Sequence, residues 1–349
     1  MAGGVVGVDI GSSLLRAVEI DDAAKPRPTV LRAHEVPLPE GSVKRGEILE
    51  VHTVASAFKR LWAGGGFRSK NVALGIGGQS VIVRDLAVPR MPLAQIKESL
   101  AFQVQDLLPV PVNDAVLDYY PIAEGQNEAG PVVNGLLVAA FKQAVTVNVT
   151  AATLAGLNPV SMDLLPFAMT RMHSASNPSS GYAVHMNIGA NATAIVIVQA
   201  GVPLFVRIGP AGGDDATRAL TTRLSIPRDR AETLKRELGL TAVGTTEEER
   251  IAAEVIHEST SELLTAVRNT LAYFVGVRTG VVFDHLSVAG GVTRMRGFAS
   301  ALAESTRLSV VPVNPTAGVT IARTLRGKVT DEQMQSWITS IGLAVGSAA

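Results

Sequence analysis

Two stretches of the chain share one pattern of apolar and polar positions: an apolar strand, a short turn containing glycine, and a second apolar strand. The first, VVGVDIGSSLLRAVEI, runs from Val5 to Ile20, and the second, YAVHMNIGANATAIVIV, runs from Tyr182 to Val198. Asp9 and Asn187 occupy equivalent places in them. Each stretch predicts a β-hairpin, because apolar runs bounded by glycine and small polar residues are typical of strands joined by tight turns.

A third strand follows each hairpin, over residues 29–36 and 203–208, and helical patterns come next. This repetition predicts an α/β fold built by duplication, with two unrelated α/β halves that both begin with a hairpin as the alternative. The stretch 171–181, RMHSASNPSSG, is rich in serine and contains Asn177 and Pro178. We therefore expect a surface connection between the two halves there.

Apolar periodicity divides the rest of the chain into helices and strands. In the first half it predicts a helix over 51–62, strands over 71–76 and 81–88, a helix marked by Ile96, Leu100, Val104 and Leu107 that stops at Pro109, and strands over 112–120 and 132–141. In the second half it predicts helices over 214–224, over 228–238 and onward from Thr246, then a strand and a Gly-Gly turn that opens a helix. Residues 89–157 therefore form a predicted αββα module inserted in the first half.

The composition indicates a globular chain with substantial cores, because 47% of its 349 residues are hydrophobic and 18% are charged. Basic and acidic residues number 31 each, so no net charge attracts nucleic acid or an anionic membrane. The lack of cysteine excludes disulfides and fits a reducing cytoplasm, and six scattered histidines do not favour a zinc site. We expect no membrane span and no signal peptide.

The first hairpin turn contains the residue types of a phosphate-binding loop. Gly11 permits close approach of an anion, and Ser12 and Ser13 supply amide and hydroxyl donors. Asp9 is suited to a hydrated Mg²⁺. An ordinary Gly-Ser hairpin turn is the alternative.

Two further glycine turns follow apolar strands, at Gly189 with Ala190 and at Gly290 with Gly291. Three glycine turns at equivalent strand ends of a duplicated fold favour a nucleotide held between the halves, with phosphates at the hairpins and the base at the Gly-Gly turn.

Four segments resemble motifs of the actin, chaperone and sugar kinase superfamily of ATP-binding proteins. GVDIGSSLLRAVE is similar to its first phosphate motif, NIGANATAIVI to its second and LSVAGGVTRMRGF to its adenosine motif. Ala231, Glu232 and Lys235 resemble the helix that contacts ribose and base. The resemblance implies an α/β, actin-like fold of duplicated ribonuclease-H-like domains around an ATP cleft.

Over nearly its whole length the chain more narrowly resembles the PilM family of type IV pilus assembly proteins, which are actin-like and related to the cell-division protein FtsA. The segments that carry this resemblance are DIGSSLLRAVE, KRGEI, PRMPLAQIKESLAFQVQDLLPVPVNDAVLDYYPI, LLVAAFKQAVTVNVTAATLAGLNPVSMDLLPFAMTR, VPLFVRIGPAGGDDAT and LSVAGGVTRMRGFASAL. It implies subdomain 1A at residues 1–88 and 158–178, 1C at 89–157, 2A at 179–221 and 281–328, 2B at 222–280, and a C-terminal helix at 329–349 that packs on 1A.

The resemblance also implies which residues bind ATP, and it implies a water-mediated Mg²⁺ site at Asp9. The implied nucleotide-binding residues are Asp9, Gly11, Ser12, Ser13, Arg16, Asn187, Gly189, Ala190, Thr193, Gly212, Gly213, Glu232, Lys235, Gly290, Gly291 and Val292. The superfamily usually has an aspartate where this chain has Asn187. Because asparagine brings no negative charge, we expect ATP binding with at most weak hydrolysis and assign no catalytic residue. A neutral variation, with Asp9 supplying enough charge, is the alternative.

The family resemblance implies a cytoplasmic adaptor of the pilus inner-membrane complex that docks the N-terminal peptide of the pilus protein PilN and is peripheral to the membrane through that partner. The stretch 89–120 is where we expect the peptide groove. Neither nucleic acid nor direct membrane insertion is implied, and self-association stays open. One alternative is a kinase of the superfamily, for which the sequence offers no compelling carboxylate base. The other is an FtsA-like filament, whose basic membrane helix has no counterpart in TDEQMQSWITSIGLAVGSAA.

Overall fold

The computed structural model describes residues 4–347, so the ends of the predicted segments 1–88 and 329–349 lie outside the described residues. The first half contains β1 (Val6–Ile10), β2 (Leu14–Ile20), β3 (Thr29–Pro37), β4 (Val43–Lys44), β5 (Glu47–Ile48), α1 (Val51–Gly65), β6 (Asn71–Ile76), β7 (Val81–Pro89), α2 (Leu93–Gln103), β8 (Ala115–Asn127), β9 (Gly130–Phe141), α3 (Lys142–Leu154), β10 (Asn158–Leu164) and α4 (Leu165–Ser176).

The second half contains β11 (Tyr182–Ile188), β12 (Thr193–Gln199), β13 (Val202–Gly209), α5 (Gly213–Leu224), α6 (Arg228–Leu238), α7 (Glu247–Val277), β14 (Phe283–Ala289), α8 (Phe298–Thr306), β15 (Val310–Pro312), β16 (Thr320–Ile321), α9 (Asp331–Ser336) and α10 (Ile338–Gly346). Short 3₁₀ turns cover Val112–Asp114 and Gly291–Arg294.

The two large sheets have the same strand order and the same directions. The first runs β10-β6-β1-β2-β3-β16 and the second runs β15-β14-β11-β12-β13. Strands β1, β2 and β3 are antiparallel neighbours, as are β11, β12 and β13. Strand β1 also pairs in parallel with β6, and β11 pairs in parallel with β14. The predicted duplicated α/β fold is therefore confirmed. The short strand β16 comes from late in the chain and adds a sixth strand to the first sheet by pairing with β3.

Both faces of the first sheet are covered, which explains why β1 is apolar at every position except Asp9 and a glycine. On one face Val6 and Val8 pack with Phe58 of α1 and with α3. On the other face Val18, Ile20 and Val30 of β2 and β3 pack with Ile338 and Ile341 of α10. Burial on both faces is typical of the central strands of α/β sheets.

Helices α5 to α8 cover one face of the second sheet around fully buried residues such as Phe274 and Phe298. Helix α4 packs against α10 on one side and against β11 and β12 on the other. It therefore lies between the two halves.

The predicted inserted module has a three-stranded sheet in the order β7-β9-β8, rather than two strands. Strand β7, which the sequence assigns to the segment before residue 89, pairs with β9 from Val81 to Pro89. Helix α2 packs on one face of this sheet through Ile96 and Leu100. The opposite face packs against β13 of the second half, while α3 packs into the core of the first sheet. The module thus contacts both halves.

The predicted surface connection over 171–181 is wrong for its first six residues, because α4 continues to Ser176. Met172 and His173 lie on the inner face of this helix and are buried. The polar composition misled the prediction because serine is accepted on the outer face of a helix. The connection itself is short and begins at Asn177.

The helix predicted to reach Pro109 ends earlier, at Gln103, and Leu107 lies in the turns that follow. Leu107 is 38% exposed and, unlike Val104 and Leu108, does not pack in the core of the module. The hairpin β8–β9 is longer than predicted, because polar residues near its tip still pair, down to Asn127 with Gly130. Cross-strand hydrogen bonding there needs no apolar alternation.

Candidate nucleotide-binding site

The first predicted phosphate turn lies at the end of β1 and is closed by a backbone hydrogen bond. The amide of Gly11 donates to the carbonyl of Leu14 at 3.0 Å, which places Ser12 and Ser13 at the tip. The amide of Leu38 donates to the carbonyl of Ser13 at 2.9 Å. The turn is therefore fixed from both sides while its serine side chains stay accessible to a ligand.

Asp9 and Arg16 face each other beside this turn, because their positions are paired across β1 and β2. Arg16 Nη1 lies 3.4 Å from Asp9 Oδ2. A Cβ at Gly11 would lie 3.2 Å from the same nitrogen, so the guanidinium is immediately next to the turn. Burial raises the pKa of Asp9, and Arg16 offsets only part of this effect. A divalent cation near Asp9 would favour its ionised form, so the residue fits a Mg²⁺ held through water.

Glu35 on β3 extends this pair into a row of three charged side chains. It is paired with Arg16 across β2 and β3, and its Oε2 lies 3.5 Å from Arg16 Nε. The same oxygen accepts hydrogen bonds from Ser336 Oγ at 2.9 Å and from Trp337 Nε1 at 3.2 Å. Glu35 is not among the residues predicted from the sequence. Its place opposite Arg16 could have been found by pairing the predicted third strand with the second.

The second predicted phosphate turn has the same closure, since the amide of Gly189 donates to the carbonyl of Ala192 at 2.9 Å. The start of α5 is bonded directly to it. The amide of Gly213 donates to the carbonyl of Gly189 at 2.9 Å, and the amide of Asp214 donates to that of Ala190 at 2.8 Å. The turn and the start of α5 are therefore held together as one unit by backbone hydrogen bonds.

Two more predicted residues fix the segment that precedes α5. Thr193 Oγ1 donates to the carbonyl of Ala211 at 2.8 Å. The amide of Gly212 donates to Asp215 Oδ2 at 2.8 Å and so caps the helix. Thr193 and Gly212 thus support the second turn through its neighbouring backbone.

The Gly290–Gly291 turn follows β14 and lies against Asn187. Gly290 has a φ of 100°, and a Cβ there would overlap the carbonyl oxygen of Ile188 and lie 2.9 Å from Asn187 Oδ1. A Cβ at Gly291 would meet no atom within 4 Å, so this position is open. Val292 is buried and anchors the turn in the core of the second half. A flat ligand group can therefore approach the backbone at Gly291.

Glu232 and Lys235 lie on α6 and connect it to α5. Lys235 Nζ donates to the carbonyl of Gly213 at 2.9 Å and to Glu232 Oε1 at 2.8 Å. Thr217 Oγ1, which the sequence analysis missed, donates to Glu232 Oε1 at 2.6 Å. Burial raises the pKa of Glu232, but the hydrogen bonds from Lys235 and Thr217 outweigh burial, so the pKa lies below its ordinary value. Glu232 is thus an ionised acceptor, suited to the hydroxyls of a ribose.

The structure brings the predicted residues together in three contacting groups. Asp9, Gly11 and Arg16 form the first group, the second turn with α5 and α6 forms the second, and Asn187 with Gly290 forms the third. Arg228, at the start of α6, contacts the buried Asp214 and lies 3.8 Å from Glu40, which follows β3. This ion pair joins the first half of the chain to the second.

Two features are absent from residues 4–347. No helix there is both long and apolar enough to cross a membrane. No group of three or more His, Asp or Glu in the same range is arranged to hold a metal ion. Asp9 is a single carboxylate, as in Mg²⁺ sites where phosphates and water supply the other ligands.

Comparisons with known proteins agree with this fold. The cell-division protein FtsA of Bacillus subtilis is 22% identical over 76% of this chain and 69% of its own length. A solved PilM-PilN type IV pilus biogenesis complex contains a chain that is 26% identical, with a TM-score of 0.85 over 99% of this chain and 98% of that one. MreB5 of Spiroplasma citri bound to AMPPNP, at 11% identity and a TM-score of 0.52, covers 90% of this chain and 92% of its own.

The family model described as "Type IV pilus assembly protein PilM" matches residues 7–348. This match includes both hairpin turns, the inserted module and the Gly290–Gly291 turn. The chain therefore belongs to the PilM family of type IV pilus assembly proteins, and its fold is actin-like.

Proposed function

We propose that this protein is an ATP-binding adaptor of type IV pilus assembly, which docks the N-terminal peptide of a PilN partner at the inner membrane. The observation that carries the nucleotide part is the pair of identically closed turns, at Gly11 and at Gly189, on the two halves of a duplicated fold. The partner part is supported by the likeness to the chain in the PilM-PilN complex. Its cytoplasmic position, reached through that partner, is part of the proposal.

ATP would be held between the two turns by backbone donors and a few side chains. Arg16 would contact the terminal phosphates, Asp9 would hold Mg²⁺ through water, and Glu232 with Lys235 would contact the ribose. When bound, ATP supplies an anionic chain that joins the two halves. Binding of this kind selects one arrangement of the halves over others.

Hydrolysis would be weak at most, because Asn187 stands where a second carboxylate would polarise an attacking water. Asn187 Oδ1 instead lies beside the Gly290 turn. The amide can accept or donate a hydrogen bond but adds no charge to the phosphate region. An adaptor needs retention of nucleotide more than turnover.

The docking peptide would bind the inserted module, which is well placed to sense the nucleotide. The module packs on β13 of the second half while it is inserted in the first, so a change in the arrangement of the halves acts on it directly. Within 89–120, Phe102 is 82% exposed. The surface depression beside it is lined by Ala101, Phe102, Gln105, Pro111, Val112 and Asn113.

Isothermal titration tests both parts, first with ATP·Mg²⁺ and then with a peptide of the PilN N-terminus. Asp9→Ala should abolish measurable ATP binding, while Asp22→Ala, in the loop after β2, should leave it unchanged. Phe102→Ala should weaken peptide binding about tenfold, because an exposed aromatic residue is the usual anchor of such contacts. Val243→Ala is the matched control, since Val243 is 88% exposed on the other half.

The outcomes separate the parts of the proposal. Wild-type protein that binds no ATP would refute the nucleotide part. Peptide affinity that does not depend on ATP would refute the coupling but keep the docking. Phosphorylation of a sugar in the presence of ATP would favour the kinase alternative.

A further inference from the structure

Three charged side chains lie in one row across the first sheet, and they connect the phosphate turn to the end of the described chain. Asp9, Arg16 and Glu35 are paired on β1, β2 and β3. Arg16 places its Nη1 edge toward Asp9 at 3.4 Å and its Nε edge toward Glu35 at 3.5 Å. Both carboxylates are in salt-bridge range, yet Arg16 Nε is buried and has no hydrogen bond within the described residues.

Glu35 is held back from Arg16 by α9 and the residue that follows it. One oxygen of Glu35 accepts the indole N–H of Trp337, at 3.2 Å, and the hydroxyl of Ser336, at 2.9 Å, whose proton is shared with the Gln333 carbonyl at 2.8 Å. Trp337 is 3% exposed, so its position is fixed by the core. Two donors on one oxygen weaken the electrostatic attraction between Glu35 and Arg16. The Nη edge of the guanidinium therefore stays at the Gly11 turn.

The same short helix is also attached to the second half. Glu332 pairs with Arg294 at 2.8 Å, and Arg294 lies in the 3₁₀ turn that begins at Gly291. Gln335 Nε2 donates to the carbonyl of Val313 at 2.6 Å. Helix α9 therefore contacts residues next to two of the three predicted nucleotide-binding turns.

We propose that α9 and Trp337 set the position of Arg16 for a polyphosphate by holding Glu35, so that these C-terminal residues form part of the nucleotide site without touching the ligand. The proposal rests on the ATP binding proposed above. When a donor to Glu35 is lost, this carboxylate pairs more closely with Arg16 and competes with the phosphates for it. By linkage, ATP binding must in turn change the stability of α9 and α10.

Ser336→Ala tests the inference with the smallest change. The affinity for ATP·Mg²⁺ should fall about fivefold, near the lower end of typical coupling between sites, while the affinity for adenosine stays the same. Ser347→Ala is the matched control, because the Ser347 hydroxyl bonds to the Ala344 carbonyl at the far end of α10. This variant should bind both ligands as the wild type does.

A double-mutant cycle with Glu35→Gln shows whether the effect passes through Glu35. In that background, Ser336→Ala should no longer change ATP affinity, because the competing charge is gone. Hydrogen exchange gives a second readout: ATP·Mg²⁺ should alter exchange across 331–346 in the wild type and much less in Glu35→Gln.

Each result decides the inference. Equal loss of ATP and adenosine binding, full ATP affinity in Ser336→Ala, or an undiminished effect in the Glu35→Gln background would overturn it while leaving ATP binding intact. Wild-type protein that binds no ATP would overturn the proposed nucleotide function, and the inference with it.

Discussion

The hairpin at Asp9 and the hairpin at Asn187 have the same backbone and different electrostatics. Each closes by the same amide-to-carbonyl bond between residues three positions apart, from Gly11 to Leu14 and from Gly189 to Ala192. Across the first hairpin Asp9 is paired with Arg16, whereas across the second Asn187 is paired with Ala194. A charged pair in one half thus corresponds to a neutral pair in the other.

The difference continues into the third strand of each sheet. Arg16 is paired with Glu35 on β3, while Ala194 is paired with Ile208 on β13. The entire charged row is therefore replaced by neutral residues in the second half. The second turn relies instead on α5, whose first amides bond to its carbonyls.

This comparison shows that turn geometry and charge are independent in this fold. The backbone hydrogen bonds that close the turns do not involve the row of side chains, and both turns close alike although only the first hairpin carries the charged pair. The first half therefore has a charged pair beside its turn, whereas the strands beside the second turn have neutral residues at the matching positions.

The largest effect is expected from the backbone of the second half. Gly290→Ala should lower the free energy of unfolding by about 3 kcal/mol and abolish nucleotide binding, because a Cβ at φ 100° overlaps the Ile188 carbonyl. Urea denaturation measures it. Gly291→Ala is the control and should change stability by less than about 1 kcal/mol, since its Cβ position is open. Equal effects of the two variants would contradict the geometry of the turn.

The second-largest effect is expected on ATP·Mg²⁺ affinity, from removing the charge of Asp9 in the first hairpin. Asp9→Asn makes the first hairpin resemble the second, and we expect ATP·Mg²⁺ affinity to fall at least about tenfold, roughly 1.4 kcal/mol. Asn187→Ala, the matched change in the other half, should cost less than about threefold. Calorimetric titration measures both. Similar losses would mean that the two hairpins contribute alike.

Asp9→Asn should also raise the stability of the ligand-free protein at neutral pH. Because burial raises the pKa of Asp9, its ionised form is disfavoured in the folded state, and asparagine removes that cost. This gain in stability should vanish as the pH falls through the raised pKa of Asp9, because the wild-type carboxyl is then protonated and is uncharged like asparagine. Denaturation at several pH values distinguishes this stabilised variant from a misfolded one.

A third difference lies two residues before Asp9 and Asn187, where Gly7 on β1 corresponds to His185 on β11. Burial, with a smaller effect of His285, lowers the pKa of His185 to about 3, and burial also lowers that of His173, whose ring lies 5.2 Å away. Unfolded histidine is protonated below about pH 6.5, so stability should fall as the pH drops from there toward 3. His185→Gln should reduce this slope by up to about 1.4 kcal/mol per pH unit. The exposed His52→Gln should leave it unchanged.

The smallest effect is expected from restoring a carboxylate in the second half. Asn187→Asp should increase the rate of phosphate release from ATP about threefold, because a second negative charge can polarise water near the γ-phosphate. A coupled phosphate assay measures it, with Asp9→Asn combined in the same chain as the control. No change in release would indicate that the second turn lies too far from the reacting phosphate.

Much of the fold could be predicted because the signals are local. Each hairpin is a neighbouring strand pair with its turn residues between, and the long helix after Thr246 begins with a capping box that the structure contains. Pairing between distant segments could not be predicted. Strand β7 joins β9 across the whole of α2 and β8, and β16 reaches β3 from late in the chain. Periodicity carries no information on such partners.

The site shows the same division. The turns and the pair Glu232 and Lys235 could be proposed from motifs. Glu35 belongs to no motif and is found only by pairing the third predicted strand with the second, and Thr217 could not be found because it acts on a residue of the next helix. His173 was hidden by its serine-rich surroundings, although it lies in the core between α4 and the second sheet.

The packing of α10 on β1 has a consequence for how the chain is made. A Cβ at Gly7 would overlap the carbonyl oxygen of Ser340, so the strand and the helix are in direct contact. Ser340 follows Arg16, on the neighbouring strand, by 324 residues. At ordinary rates of translation the first sheet therefore waits on the order of tens of seconds for the helix that covers it. During that time the apolar face that α10 covers is exposed, as are the apolar surfaces of other incompletely folded chains that chaperones bind.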